Sequence, residues 1–169
     1  MQPTPRLASL LAGAALAGCA ATTAPITPPP DQQRLMALAA HGVQIYECRA
    51  TANAAPAWAF VAPEADLFDA QGRHAGRHGA GPFWEHADGS RFTGSVRARM
   101  DAPTAGAIPW LLLDAKPEAQ PGAFSRVASV QRLHTVGGQP PATGCTSATL
   151  GQRVRMAYRA DYVLFAPRA

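Results

Sequence analysis

Glycine and proline interrupt this 169-residue chain throughout, 15 of one and 16 of the other. That spacing limits the fold more than any other feature. Proline removes a backbone donor and clashes inside a helix, and glycine marks turns, so short strands joined by many turns are favoured over long helices. Between the breakers, side-chain character alternates with a period of two. Over residues 42–49, Val43, Ile45 and Glu47 fall on one side and Gln44, Tyr46 and Cys48 on the other, as in a half-buried strand. Residues 91–100 set Phe92, Gly94, Val96, Ala98 and Met100 against Arg91, Thr93, Ser95, Arg97 and Arg99.

Other segments fit the same plan. Residues 58–61 form a strand that Pro63 closes, and Leu67 leads into a turn at residues 70–72. Asp88-Gly89 between two such runs signals a hairpin. The apolar run 108–114 reads as a central strand, and residues 154–165 as the last one. Residues 124–136 fit a helix or a strand, and their Val, Ser and Thr content favours the strand. Residues 34–40 (RLMALAA) predict one or two helical turns stopped by His41-Gly42. The count is about eight short, mainly antiparallel strands in one all-β domain, a barrel or a sandwich.

The first 33 residues belong to no such domain. One positive charge, Arg6, precedes a small apolar run over residues 7–18, the plan of a secretory signal. The run is too short for a membrane-spanning helix. Leu16-Ala17-Gly18-Cys19 resembles a bacterial lipobox, which implies cleavage before Cys19 and acylation of that cysteine. The alternative is an ordinary secretory signal with a chance cysteine. Ala20 at the next position favours the outer membrane by lipoprotein sorting rules. The expected organisation is a signal peptide over 1–18, lipidated Cys19 with a proline-rich tether over 19–33, and the β domain over 34–169. The tether, with Pro28-Pro29-Pro30, reads as an extended spacer.

Export sets the redox setting. With Cys19 acylated, Cys48 and Cys145 remain as an even pair in an oxidising compartment. They are expected to form a disulfide; two free thiols or a metal site are the alternatives. The net charge of +4 is carried almost wholly by arginine and is not clustered. No basic stripe interleaved with aromatics is present, so nucleic acid is not an expected partner.

The motifs, taken in order, resemble one family. They are Val43-Gln44-Ile45-Tyr46-Glu47-Cys48, Trp58-Ala59-Phe60 followed by Pro63-Glu64-Ala65 and Leu67, then His78, Gly81-Pro82, Trp84 and Asp88-Gly89-Ser90. Ile108-Pro109-Trp110-Leu111-Leu112-Leu113, Gln131-Arg132, Thr135, Gly137-Gly138, Gly144-Cys145 and Tyr158-Arg159-Ala160-Asp161-Tyr162 follow. Together, over about residues 38–166, they resemble the secreted bacterial and fungal family called domain of unknown function 3455. The resemblance implies no activity. It does imply that Cys48 and Cys145 match the family's two cysteines, which supports the disulfide, and that His78 lies on the family pattern.

Chemistry-bearing residues gather in residues 73–90: His74, His78, Glu85, His86 and Asp88. Imidazole with carboxylate is metal-ligand chemistry, but on a strand His74 and His78 would stand about 13 Å apart. Solvated histidines on a glycine-rich loop are the alternative. Ser90, His78 and Asp88 supply the types for a triad, without the G-x-S-x-G turn that exposes a nucleophile. Trp58, Trp84 and Trp110 fit core packing or the lining of a pocket. Arg91, Arg97 and Arg99 fit a solvated strand face or an anion patch.

The leading expectation is a lipid-anchored envelope protein on the periplasmic side that binds a small molecule or envelope component without catalysis. The site expected to carry it is His78, Glu85, His86 and Trp84, with no cofactor specified. A metal-binding protein or metalloenzyme using His78 with Glu85 or His86 is the second reading. A purely structural envelope lipoprotein is the third.

Overall fold

The computed structural model describes residues 26–168; the expected signal peptide over 1–18 and the expected lipidation of Cys19 lie outside them. Eight strands follow one another in a single antiparallel sheet: β1 (Gln32–Arg49), β2 (Ala57–Phe68), β3 (His74–Gly79), β4 (Phe83–His86), β5 (Arg91–Met100), β6 (Trp110–Pro117), β7 (Ser129–Gly137) and β8 (Arg153–Pro167). Each strand pairs with the next, and β8 pairs with β1, so the sheet closes into a barrel. Closure removes the open edges that a flat sheet would expose. It also settles the choice between barrel and sandwich.

The long β1–β8 pair makes the closure, from Gln32 opposite Pro167 to Glu47 opposite Arg153. This overturns the helical turn expected over residues 34–40. Leucine, alanine and methionine favour helix locally, but the same residues also alternate. Met36 faces Leu164, Leu38 faces Tyr162 and Ala40 faces Ala160, with Leu38 and Ala40 buried. Full-length pairing and burial outweigh a weak propensity. His41-Gly42 does not end the strand either. A side chain at Gly42 would fall on the Glu64 carbonyl of β2, so the glycine permits a close approach of the two strands.

Pro63 likewise lies inside β2 and does not close it. It sits beside the β1–β2 register shift, opposite Gln44, and before Ala65, where pairing with β3 begins. Proline is tolerated at bulges and unpaired edges because no ladder bond is lost there.

The 124–136 segment divides. β7 starts only at Ser129, because the loop before it is captured by the β4–β5 hairpin. Asp88 accepts from the Ala123 N–H at 2.8 Å and Ser90 Oγ from the Phe124 N–H at 3.0 Å. Phe124 and Val127 are thereby turned inward and plug one end of the barrel, Phe124 edge-on to Phe92.

At the other end, Cys48 and Cys145 form the expected disulfide, with a Cα–Cα distance of 5.2 Å. It ties the β7–β8 connection to the end of β1. Trp58 reinforces the tie by donating to the Thr143 carbonyl at 3.0 Å.

The β structure begins two residues before residue 34, the expected start of the domain. Gln32 and Gln33 belong to β1. The Gln131 amide donates to the Ile26 carbonyl at 2.6 Å and Arg168 Nε to the Pro30 carbonyl at 3.0 Å. Extended proline-rich backbone makes no internal hydrogen bonds, so its carbonyls are open to such donors.

Candidate functional site: a window in the barrel wall

The β3–β4 hairpin is too short to fill its place in the wall. β3 covers β2 only over Ala65–Phe68, and β4 covers β5 only from Arg91 to Thr93. The first half of β2 and the second half of β5 therefore flank a window above the hairpin turn. Phe60, Pro63, Pro82 and Val96 line the outer part of a cavity of about 120 Å³ there. Phe60 and Val96 are 52% and 60% exposed, an unusual placement for large apolar side chains at one opening.

Polar side chains occupy the depth of the cavity: Gln44 of β1, His78 of β3, Trp84 of β4, Arg132 of β7 and Tyr162 of β8. Strand parity puts them there. Arg132 lies opposite Leu111 and Tyr162, and Trp84 opposite His78. His78 stacks on Trp84 at 4.1 Å, and Trp84 stacks in turn on Phe92 at 4.9 Å. Gly94 makes room for the indole, since a Cβ there would meet the Trp84 ring at 2.8 Å.

His78 is 4% exposed. Burial lowers its pKa to about 3; the Phe83 carbonyl opposes this shift and the Arg132 charge adds to it. The ring is thus neutral near pH 7. A carbonyl only accepts, so the proton sits on Nδ1 and donates to the Phe83 carbonyl at 2.6 Å, leaving Nε2 as an acceptor. Burial also raises Tyr162 and Tyr158, whose hydroxyls lie 3.4 Å apart. Both stay protonated.

Two side chains that line this cavity carry unmet donors. Gln44 Nε2 and Trp84 Nε1 are buried without a hydrogen-bond partner. The Gln44 amide approaches Tyr158 without reaching hydrogen-bond geometry. Arg132 is half-buried and donates from Nε and Nη2 to the Pro109 carbonyl at 3.0 and 2.8 Å. Among the described residues it forms no ion pair. Buried unsatisfied donors cost about 1–3 kcal/mol each, so two of them beside an unpaired guanidinium mark a demand for acceptors.

Larger hollows show no such demand. One of about 630 Å³ near Met36, Asp69 and His86 has Arg73 paired with Asp69 and the His86 ring 3.1 Å from Asp88. Another of about 300 Å³ beside Gly42 is crossed by the Arg155–Glu64 and Arg77–Glu85 pairs.

The expected site residues separate in space. His78 and Trp84 come together in the cavity. Glu85 alternates to the opposite side of β4, where it pairs with Arg77 and lies 3.8 Å from Arg91. His86 sits against Asp88 and Phe124, and His74 is exposed beside Asp66. Among the described residues no three His, Cys, Asp or Glu side chains are grouped as metal ligands. The expected grouping of His78 with Glu85 fails on strand parity. Ser90 is fully buried; its hydroxyl donates to Asp88 at 2.5 Å while accepting from Phe124. Arg91 and Arg97 are spent on Glu118 and Asp114.

Gln44, Arg132 and Tyr162 were not among the expected site residues, although each lies in a motif quoted for the family resemblance. Their signal was a polar residue on the inward parity of a strand. Gln44 shares a side with Tyr46 and Cys48, and Arg132 follows inward Val130 by two.

The fold and cavity define a class: a closed antiparallel β ring with a small pocket rich in donors. The chain belongs to the family described as Protein of unknown function (DUF3455), whose model matches residues 29–166. No curated protein matches it.

Proposed function

We propose that this domain is a lipid-anchored envelope module that binds a small molecule through the wall window. The observation that carries the reading is that two residues lining one cavity, Gln44 and Trp84, each hold a buried donor without a partner. A ligand acceptor would satisfy both, and the apolar rim would cover the rest of the molecule. The pocket is far smaller than the several hundred Å³ of typical ligand sites, so the ligand inserts a small polar head. Catalysis is no part of this reading; the lining residues include no carboxylate or thiol.

The anchor rests on the lipobox-like Leu16-Ala17-Gly18-Cys19 and the address on Ala20 after it: the periplasmic side of the envelope, at the outer membrane. Acyl-chain labelling in cells tests it, with incorporation expected in the native chain and lost in Cys19→Ser.

Native mass spectrometry of gently purified, exported protein tests the binding role. The expected result is an added organic mass that is absent from a folded Gln44→Leu variant. Retention of that mass by the variant would place the ligand elsewhere.

A further inference from the structure

We propose that the ligand is an apolar monocarboxylate, its carboxylate held at Arg132 and its hydrocarbon part leaving through the window past Phe60 and Val96. This rests on the binding role of the cavity and adds the ligand's charge and shape.

Charge comes first. Arg132 is the one charged residue lining the cavity, and among the described residues no carboxylate pairs with it. A half-buried guanidinium with no opposite charge beside it favours an incoming anion. Its bonds from Nε and Nη2 to the Pro109 carbonyl fix the planar group in the cavity wall. His78, the other ionisable nitrogen here, is neutral, so the cavity carries a single positive charge. One negative charge balances it.

Hydrogen-bond inventory comes second. Gln44 Nε2 and Trp84 Nε1 are unmet donors, and the Arg132 guanidinium only donates. A carboxylate accepts at two oxygens and matches a guanidinium's geometry. An alcohol or amide would meet some donors but leave the charge unbalanced. A phosphate or sulfate ion brings more oxygens and more charge than one arginine neutralises.

Shape comes third. The interior of about 120 Å³ takes a carboxylate and a few carbons, and beyond them the path is apolar: Phe60 and Val96 stand exposed at the opening. A longer hydrocarbon chain would cover both and remove apolar surface from water.

Hexanoate, hexanamide and 1-hexanol form a matched set for calorimetric titration of the purified protein, with Trp84 indole N–H and Gln44 side-chain resonances as reporters. Hexanoate is expected to bind about tenfold more tightly than either neutral analogue, as a charge-assisted bond does over a neutral one. In Arg132→Gln that preference falls to about one. Equal binding of all three by the native protein would overturn the carboxylate assignment while leaving the pocket reading intact. Binding of none at millimolar concentration would overturn both. The comparison within the native protein decides the matter even if Arg132→Gln does not fold.

Discussion

The imidazole of His78 lies flat on the indole of Trp84, with centroids 4.1 Å apart and planes inclined by 19°. It is deep enough that charging it is opposed by burial and by Arg132. The folded-state pKa of about 3 lies below the ordinary 6.5, so on acidification the unfolded chain takes up the proton first. Stability from neutral His78 is complete above pH 6.5 and is lost as pH falls toward 3, at about 1.4 kcal/mol per pH unit. Denaturant melts of native protein and His78→Phe at pH 7 and pH 5 isolate this group. The native protein should lose more stability than the variant over that interval; equal losses would mean that His78 is solvated.

Gln44 offers an opposite kind of outcome. Its amide nitrogen is buried without a partner, so its removal relieves a cost. Gln44→Leu, close in volume, should raise the stability of the unliganded protein by about 1 kcal/mol while weakening ligand binding. A lower melting temperature in the variant would show that the amide is satisfied in the native protein.

Asp88 and Ser90 pin the β6–β7 loop that plugs the barrel. Ser90→Ala leaves the Phe124 N–H without its acceptor and should cost about 1–3 kcal/mol. Amide exchange should accelerate first at Ala123 and Phe124. Faster exchange spread evenly over all strands would contradict a local lock.

The Cys48–Cys145 bridge spans 97 residues of sequence. Cys48→Ser with Cys145→Ser should lower stability by about 2–5 kcal/mol. Because the bridge sits where β1 meets the β7–β8 connection, protease cutting should begin in that connection. An unchanged melting temperature would mean that the barrel holds this loop without the bond.

Much of the fold was legible because strand period and turn chemistry are local. Alternation over residues 91–100 and the Asp88-Gly89 turn each led to the right element. The misreadings arose where a distant partner decided. Residues 34–40 are strand because β8 lies beside them along their whole length, and Pro63 sits inside β2 because β3 stops short of it. The site was legible only in part. His78 and Trp84 stood out by residue type, but grouping them with Glu85 ignored that neighbours on a strand face opposite ways. Arg132 and Gln44 looked like ordinary strand polar residues. Only closure of the barrel turns them toward one another, and closure is set by pairing between chain ends rather than by any local pattern.

The most direct test of the account is the Trp84 indole N–H resonance of the purified protein, followed while hexanoate is added. Binding in the window predicts a saturable downfield shift of this proton together with the Gln44 side-chain amide, as both gain an acceptor. If neither resonance moves at saturating ligand, or only those of the outer hollows do, the window is not the site.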